Sequence, residues 1–293
     1  MEESKTKKFI DVEGVIREKN PRLYKFLPQF VLNWIKKKLH QDFVNAGIEL
    51  YKNDYEHDFN DSAIKYLGAK ISWEGLENIP KEGGLIIASN HPLGGLDGLA
   101  LINAVSNIRK DVRFLVNDIL LKLVNFRSLF VGVNKVGKTA GDALKVIDAI
   151  YSSEQAVLVF PAGMVSRKQK GEIKDLEWKK SFITQAIKHE RMIVPVYIDG
   201  RNSKLFYNIA LWRKRLRIKG NIEMFFLADE MVKQRNKTIH VKFGKPFSYG
   251  VFDKRHSHRD WAQLVKAYVY ELGKGTKLSF EEFVKRWNAD DTD

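Results

Sequence analysis

The sequence predicts an α/β fold: a single domain with a mostly parallel central sheet flanked by helices, preceded by a helical N-terminal extension. Three observations lead there. Runs such as 85–88, 156–161 and 192–198 are apolar on consecutive positions, the pattern of strands buried on both faces. Stretches with apolar residues at three- and four-residue steps alternate with these runs, as strand–helix–strand units require. At 293 residues, with 44% hydrophobic and 12% aromatic side chains, the chain can bury a sizeable core. It shows neither an internal repeat nor a Gly/Ser/Pro-rich linker.

The extension is residues 1–69 and the α/β domain residues 70–293. Within the extension, 22–39 (RLYKFLPQFVLNWIKKKL) sets Leu23, Phe26, Leu27, Phe30, Val31, Trp34, Ile35 and Leu39 at helical steps. Lys25, Gln29, Asn33, Lys36 and Lys37 fall on the other face, so one amphipathic helix is predicted. Its apolar side either packs on the protein's own core or, through Phe26, Phe30 and Trp34, lies in a membrane interface. Beyond residue 70 the pattern predicts strands at 71–73, 85–89, 112–116, 156–160, 193–198, 223–227 and 239–243. Helices are predicted at 99–106, 119–126, 142–151, 178–188, 204–216 and 258–272. Pro195 inside a buried strand points to a sheet edge or a bulge. Sites in such sheets gather at the carboxyl ends of the strands.

Fifty Lys and Arg against 36 Asp and Glu give a net charge of +14, which draws the protein towards polyanions: nucleic acid, anionic lipid or phosphorylated substrates. The absence of cysteine excludes disulfides, thiolate metal sites and a cysteine nucleophile. The start, MEESKTKKFIDVEG, has no apolar run of the kind a secretory signal needs. No apolar run approaches the roughly 20 residues of a membrane span, so a peripheral position on the cytoplasmic side is expected. Phosphate-loop, G-x-S-x-G and zinc-ligand spacings are all missing, which sets aside the commonest nucleotide, esterase and metal chemistries.

Two strand ends carry chemistry. The run 85–89 leads into Asn90-His91-Pro92-Leu93-Gly94-Gly95-Leu96-Asp97, where Gly-Gly lets the chain fold back and bring Asp97 to the imidazole. In such a dyad the carboxylate orients the ring and the other nitrogen takes a proton from a hydroxyl. The alternative is that Asp97 merely caps the following helix. The run 156–160 leads into Pro161-Ala162-Gly163-Met164-Val165-Ser166-Arg167, a turn able to offer amides, a hydroxyl and a guanidinium to an anionic oxygen.

In this order, Asn90-His91 with Asp97, Arg113-Phe114 with 129–135, 160–166 and 193–198 resemble the conserved blocks of the glycerol-phosphate and lysophospholipid acyltransferase superfamily. The resemblance spans roughly 85–200. It implies acyl transfer from a thioester, acyl-CoA or acyl-ACP (acyl carrier protein), to a hydroxyl, with His91 as general base, Asp97 orienting it, and no bound cofactor or metal. It also implies substrate contacts from Asn90, Arg113, Lys135, Gly163, Ser166 and Arg167. Five residues rather than four separate His91 from Asp97, a spacing found in some branches of the superfamily. Ala162 stands where the superfamily has glutamate, and Met164-Val165 where it has Thr-Arg, positions that help to hold a glycerol-phosphate acceptor. The combination is most similar to the branch that O-acylates lyso-amino-acid lipids, the ornithine and glycine lipids. There Arg167 is expected to pair with the head-group carboxylate. A glycerol-3-phosphate or 1-acylglycerol-3-phosphate acceptor is the alternative.

Residues 201–220 hold seven Lys and Arg and no acid, interleaved with Leu205, Phe206, Ile209, Leu211, Trp212 and Leu216. Cations among aromatics describe a nucleic-acid surface or a second interfacial segment with Trp212 at headgroup depth. Beside lipid-modifying motifs the second is expected. The expected partners are an anionic membrane surface at the cytoplasmic face of the plasma membrane, a lysolipid and acyl carrier protein, with no specific nucleic acid.

Overall fold

The computed structural model describes residues 8–133, 140–169, 171–217 and 222–290. The chain opens with helices α1 (Val12–Lys19), α2 (Pro21–Phe26), α3 (Gln29–Lys38), α4 (Gln41–Leu50) and α5 (Glu56–Leu67). Strands and helices then alternate as β1 (Lys70–Glu74), β2 (Leu85–Ser89), α6 (Gly95–Val105), β3 (Val112–Val116), β4 (Phe130–Gly132), α7 (Ala140–Tyr151) and β5 (Ala156–Val159). The hairpin β6 (Arg167–Gln169) and β7 (Glu172–Lys174) interrupts the alternation. Then follow α8 (Ser181–Lys188), β8 (Met192–Ile198), α9 (Lys204–Arg215), α10 (Leu227–Val232), β9 (Thr238–Phe243), α11 (His258–Gly273) and α12 (Phe280–Asp290).

Among the described residues the main sheet has seven strands in the order β1-β9-β8-β2-β5-β3-β4. From β8 to β4 every pairing is parallel, while β9 runs antiparallel to β8 and carries β1 parallel to itself. The mostly parallel α/β domain expected from the sequence is therefore present. β2 shows why consecutive apolar residues are needed: Leu85 and Ile87 enter one cluster with Phe59, Leu96 and Leu101. Ile86 and Ala88 enter the opposite one with Phe182, Trp261 and Val265. Each such large aliphatic side chain contributes about 1.5–3 kcal/mol.

β8 is an interior strand, and Pro195 is accommodated by a bulge. Val196 pairs with Phe243 but Ile193 bridges Phe247, so the register slips by one residue around Pro195 and the missing N–H falls in the slip. Gly244 donates to the Pro195 carbonyl at 2.8 Å. A Cβ at Gly244 would stand 2.9 Å from the proline ring, so only glycine fits this approach.

Three expected elements are corrected. The helix predicted over 22–39 is two helices, because Pro28 has extended backbone at φ −61° and ψ 146° and disfavours helix at the residue before it. The helix predicted over 119–126 is a pair of 3-10 turns, Leu120–Lys122 and Val124–Phe126. There the buried Asn125 amide donates to the Asp54 carbonyl at 2.7 Å, a tertiary bond that overrides propensity. The strand predicted over 223–227 is a 3-10 turn, Ile222–Phe226, running into α10. It holds the buried Glu223 between Arg167 at 3.0 Å and Arg213 at 2.8 Å.

The extension's helices differ in what they bury. α5 sends Phe59 and Leu67 into the main core. α3 buries Leu32, while Phe30 and Trp34 on its other side are 74% and 55% exposed and Phe26 of α2 is 85% exposed. α9 buries Phe206, Tyr207 and Ala210 and leaves Trp212 at 66% exposed. No helix of the described residues is long and apolar enough to cross a membrane.

Candidate active site

β2, β5 and β8 are adjacent, so the three segments leaving their carboxyl ends, 90–94, 160–166 and 199–203, converge. After β2 the chain turns at Gly94, whose φ of 88° is accessible to glycine at little cost. The turn brings the first turn of α6 back onto the strand end. Asp97 Oδ2 then accepts from the amides of Leu93 at 2.7 Å and Gly94 at 2.9 Å, and meets His91 Nδ1 at 2.9 Å. Helix cap and dyad partner, the two alternative readings of Asp97, are thus one residue in one geometry. Oδ2, which already accepts two amide N–H groups, serves as an acceptor towards the ring as well, so Nδ1 carries the proton and Nε2 is the ring's proton acceptor.

Asp97 is wholly buried and the His91 side chain 16% exposed. Burial is the largest influence on Asp97 and raises its carboxyl above the ordinary value, while the imidazole and the two amides pull the other way. One face of the imidazole is covered by Phe160, stacked at 4.0 Å and 13°. Phe160 packs edge-on against Phe114 at 5.3 Å, and Phe114 against Phe130 at 6.0 Å. Phe130 stacks on Phe126 at 4.6 Å, which meets Phe59 of α5 at 5.0 Å.

The remaining residues expected at the site divide. Gly163 is at the turn after β5 with φ 64°, donating to the Phe160 carbonyl at 2.9 Å; a Cβ there would lie 2.9 Å from Lys179 Nζ. Asn90 is buried and bonds β8 through both ends of its amide, accepting from Ile198 N at 2.7 Å and donating to Ile198 O at 2.9 Å. It therefore clamps two strand ends. Ser166 is buried too, its amide donating to the His91 carbonyl at 2.8 Å and its hydroxyl to Asp175 at 2.5 Å. Arg113 lies near the amino end of β3, its guanidinium on Gln155 at 3.2 Å and on the Ser128 carbonyl, so it is not brought to His91. Arg167 is buried, bonded to Glu223 at 3.0 Å and to the Val165 carbonyl at 2.6 Å, with its guanidinium over the Phe206 ring. A guanidinium so engaged holds β6 to the segment before α10 and is not presented to a carboxylate outside. Lys135 lies outside the described residues.

Asp175 is the site residue that sequence reasoning missed. Fully buried, it accepts from the Ser166 hydroxyl, from the His91 amide at 3.2 Å and from the Trp178 indole at 2.9 Å. It sits in the polar run KQKGEIKDLEWKK, which reads as solvated. The available signal was Trp178 three residues on, since a buried indole N–H needs an acceptor. Among the described residues no cluster of three or more His, Asp or Glu side chains is placed to hold a metal.

This geometry can be set beside known proteins. The chain matches the family described as "Acyltransferase" over residues 14–277. The lyso-glycine lipid O-acyltransferase of Bacteroides thetaiotaomicron is 46% identical over 264 residues, 90% of this chain and 97% of that one. A protein of the same name from Phocaeicola vulgatus is 44% identical over 264 residues, 90% and 95% of the two chains. Among solved structures, the 1-acyl-sn-glycerophosphate acyltransferase PlsC of Thermotoga maritima aligns with a TM-score of 0.48 and 22% identity, over 85% of this chain and 91% of that one.

Proposed function

The chain belongs to the acyltransferase family and is an enzyme of acyl transfer, and from that premise we propose that it moves a fatty acyl group from a thioester to the hydroxyl of a lyso-amino-acid lipid, a glycine or ornithine lipid. The observation that carries the proposal is the His91 imidazole, held at Nδ1 by a buried carboxylate at the carboxyl end of a central strand. Nε2 takes the proton of the acceptor hydroxyl as its oxygen attacks the thioester carbonyl. The C–O bond forms, the C–S bond breaks, and the imidazolium returns the proton to the leaving sulfur. Asp97 keeps the ring in the required tautomer and stabilises the imidazolium. The donor is acyl-CoA or acyl-ACP.

The choice of acceptor is supported by the relatives' names and by the second block. Val165, where the superfamily has arginine, is buried in an apolar cluster with Phe206 and Tyr207, and Ala162 is buried beside Trp178 and Phe182 in the core. Neither offers a phosphate a charge. The enzyme works as a peripheral protein on an anionic membrane surface, at the cytoplasmic face of the plasma membrane. The exposed Phe26, Phe30, Trp34 and Trp212 support this, since aromatics flanked by Lys and Arg suit the headgroup boundary. In this reading residues 1–69 form the interfacial extension and 70–293 the catalytic domain.

The test offers the purified protein acyl-CoA and acyl-ACP with lyso-glycine lipid, lyso-ornithine lipid, lysophosphatidate and glycerol 3-phosphate, and identifies products by mass spectrometry. O-acylated amino-acid lipid should dominate. Preference for glycerol 3-phosphate or lysophosphatidate, or simple hydrolysis of the thioester, would overturn the acceptor assignment.

A further inference from the structure

His91 is held at its ring by Asp97 but at its main chain by another carboxylate, and we infer that Asp175 is a positioning residue of the reaction. It fixes the peptide on which the imidazole is mounted, directly and through Ser166, without touching either substrate. The inference rests on the proposal that His91 is the general base.

His91 follows the last paired residue of β2, Ser89, so its N–H has passed beyond the sheet ladder and needs another acceptor. Asp175 Oδ1 supplies it at 3.2 Å. On the other side, the His91 carbonyl accepts the Ser166 amide at 2.8 Å, and the Ser166 hydroxyl donates to Asp175 at 2.5 Å. Both polar groups of the residue are therefore tied to one carboxylate, directly or through one serine.

Asp175 is itself anchored from three directions. Its Oδ2 accepts from the Trp178 indole at 2.9 Å, its backbone N–H donates to the Tyr270 hydroxyl oxygen at 2.7 Å, and its carbonyl accepts from Lys266 Nζ at 2.7 Å and Gln169 Nε2 at 2.9 Å. The donors reaching the carboxylate are an amide, a hydroxyl and an indole, all neutral. The shortest of these bonds, from the Ser166 hydroxyl at 2.5 Å, ties the carboxylate to the residue that also holds the His91 carbonyl.

The test is Asp175→Asn in the full chain, assayed with acyl thioester and lysolipid beside Ser166→Ala and a His91→Ala control. An Asn side chain has one acceptor oxygen, which cannot face both the indole and the His91–Ser166 side, so one of these donors loses its partner. Displacement of a catalytic group by about an ångström costs on the order of 10²-fold, so kcat should fall about 10- to 100-fold. KM for both substrates should stay within about threefold, the split expected when an interaction made in the transition state is lost. Ser166→Ala should lower kcat less, and the double variant should lose less than the product of the two, because both act through one peptide. A folded Asp175→Asn protein with parental kcat, or with its loss confined to KM, overturns the inference. Should Asp175→Asn not fold, Ser166→Ala decides: lower kcat at unchanged KM supports it, parental kcat overturns it. Turnover by His91→Ala would overturn the base assignment and this inference with it, whereas an inactive His91→Ala beside a fully active Asp175→Asn overturns this inference alone.

Discussion

Replacing Phe30 and Trp34 together by serine tests whether α3 enters a bilayer. The two rings are 74% and 55% exposed; at roughly 200 Å² per aromatic side chain their exposed share is about 250 Å². At about 25 cal/mol per Å² full insertion is worth about 6 kcal/mol, and half insertion about 3 kcal/mol, on the order of 100-fold in partitioning. The cations add about 1 kcal/mol each near an anionic surface, but salt screens that part alone, the Debye length shrinking from about 10 Å at 0.1 M to about 3 Å at 1 M. The assay is sedimentation with anionic liposomes at both salt concentrations. The parent should bind more weakly at high salt yet remain bound, and the double variant should be released. Because the substituted side chains face away from the buried Leu32, folding should be unaffected. A variant that sediments like the parent at high salt would refute the insertion argument. Binding that collapses steeply with salt for parent and variant alike, together with tight oligonucleotide binding, would return the cations to nucleic acid.

Three further outcomes are expected. His91→Ala should lose about 10²- to 10⁴-fold in turnover while staying folded, measured as single-turnover acyl transfer with circular dichroism as control; near-normal turnover would end the general-base mechanism. In Asp97→Asn the amide oxygen can take the three donors that now reach Oδ2, so the fold should persist while turnover drops. Burial raises the folded pKa of Asp97, so its contribution to stability is full below the unfolded value and is lost as pH rises through the folded one. Thermal melts at acidic and mildly alkaline pH should show the parent losing ground to the uncharged variant as pH rises, and a variant that loses ground to the parent would contradict the sign. Arg167→Ala leaves Glu223 buried with Arg213 as its remaining ion-pair partner among the described residues, so denaturant titration should show a loss of about 3 kcal/mol. The acceptor KM should stay unchanged; a specific rise in that KM without destabilisation would place Arg167 at the substrate.

The strands of the sheet's middle were legible because a strand buried on both faces writes itself as consecutive apolar residues, as Leu85 to Ala88 do. His91 and Asp97 were legible because their partnership is local, six positions apart with two glycines between. Partnerships across the fold were not. Nothing near Asp175 names His91, 84 positions earlier, and nothing near Arg167 names Glu223, 56 positions later, so one looked solvated and the other available to substrate. Asn90, next to the base, looked like a ligand contact because only the folded sheet shows that the Ile198 peptide occupies its amide. The 3-10 turns at 120–126 follow from Asn125 reaching the Asp54 carbonyl, a tertiary bond that hydrophobic periodicity does not encode.

The row of rings from His91 through Phe160, Phe114, Phe130 and Phe126 ends on Phe59, a residue of the N-terminal extension. Residues ahead of β1 therefore take part in the packing that ends at the imidazole. A chain begun at residue 70 would forfeit the last rung of this ladder and unseat Phe126 beneath it, leaving the imidazole propped on a column without a footing. α5 is thus joined to His91 by an unbroken row of ring contacts.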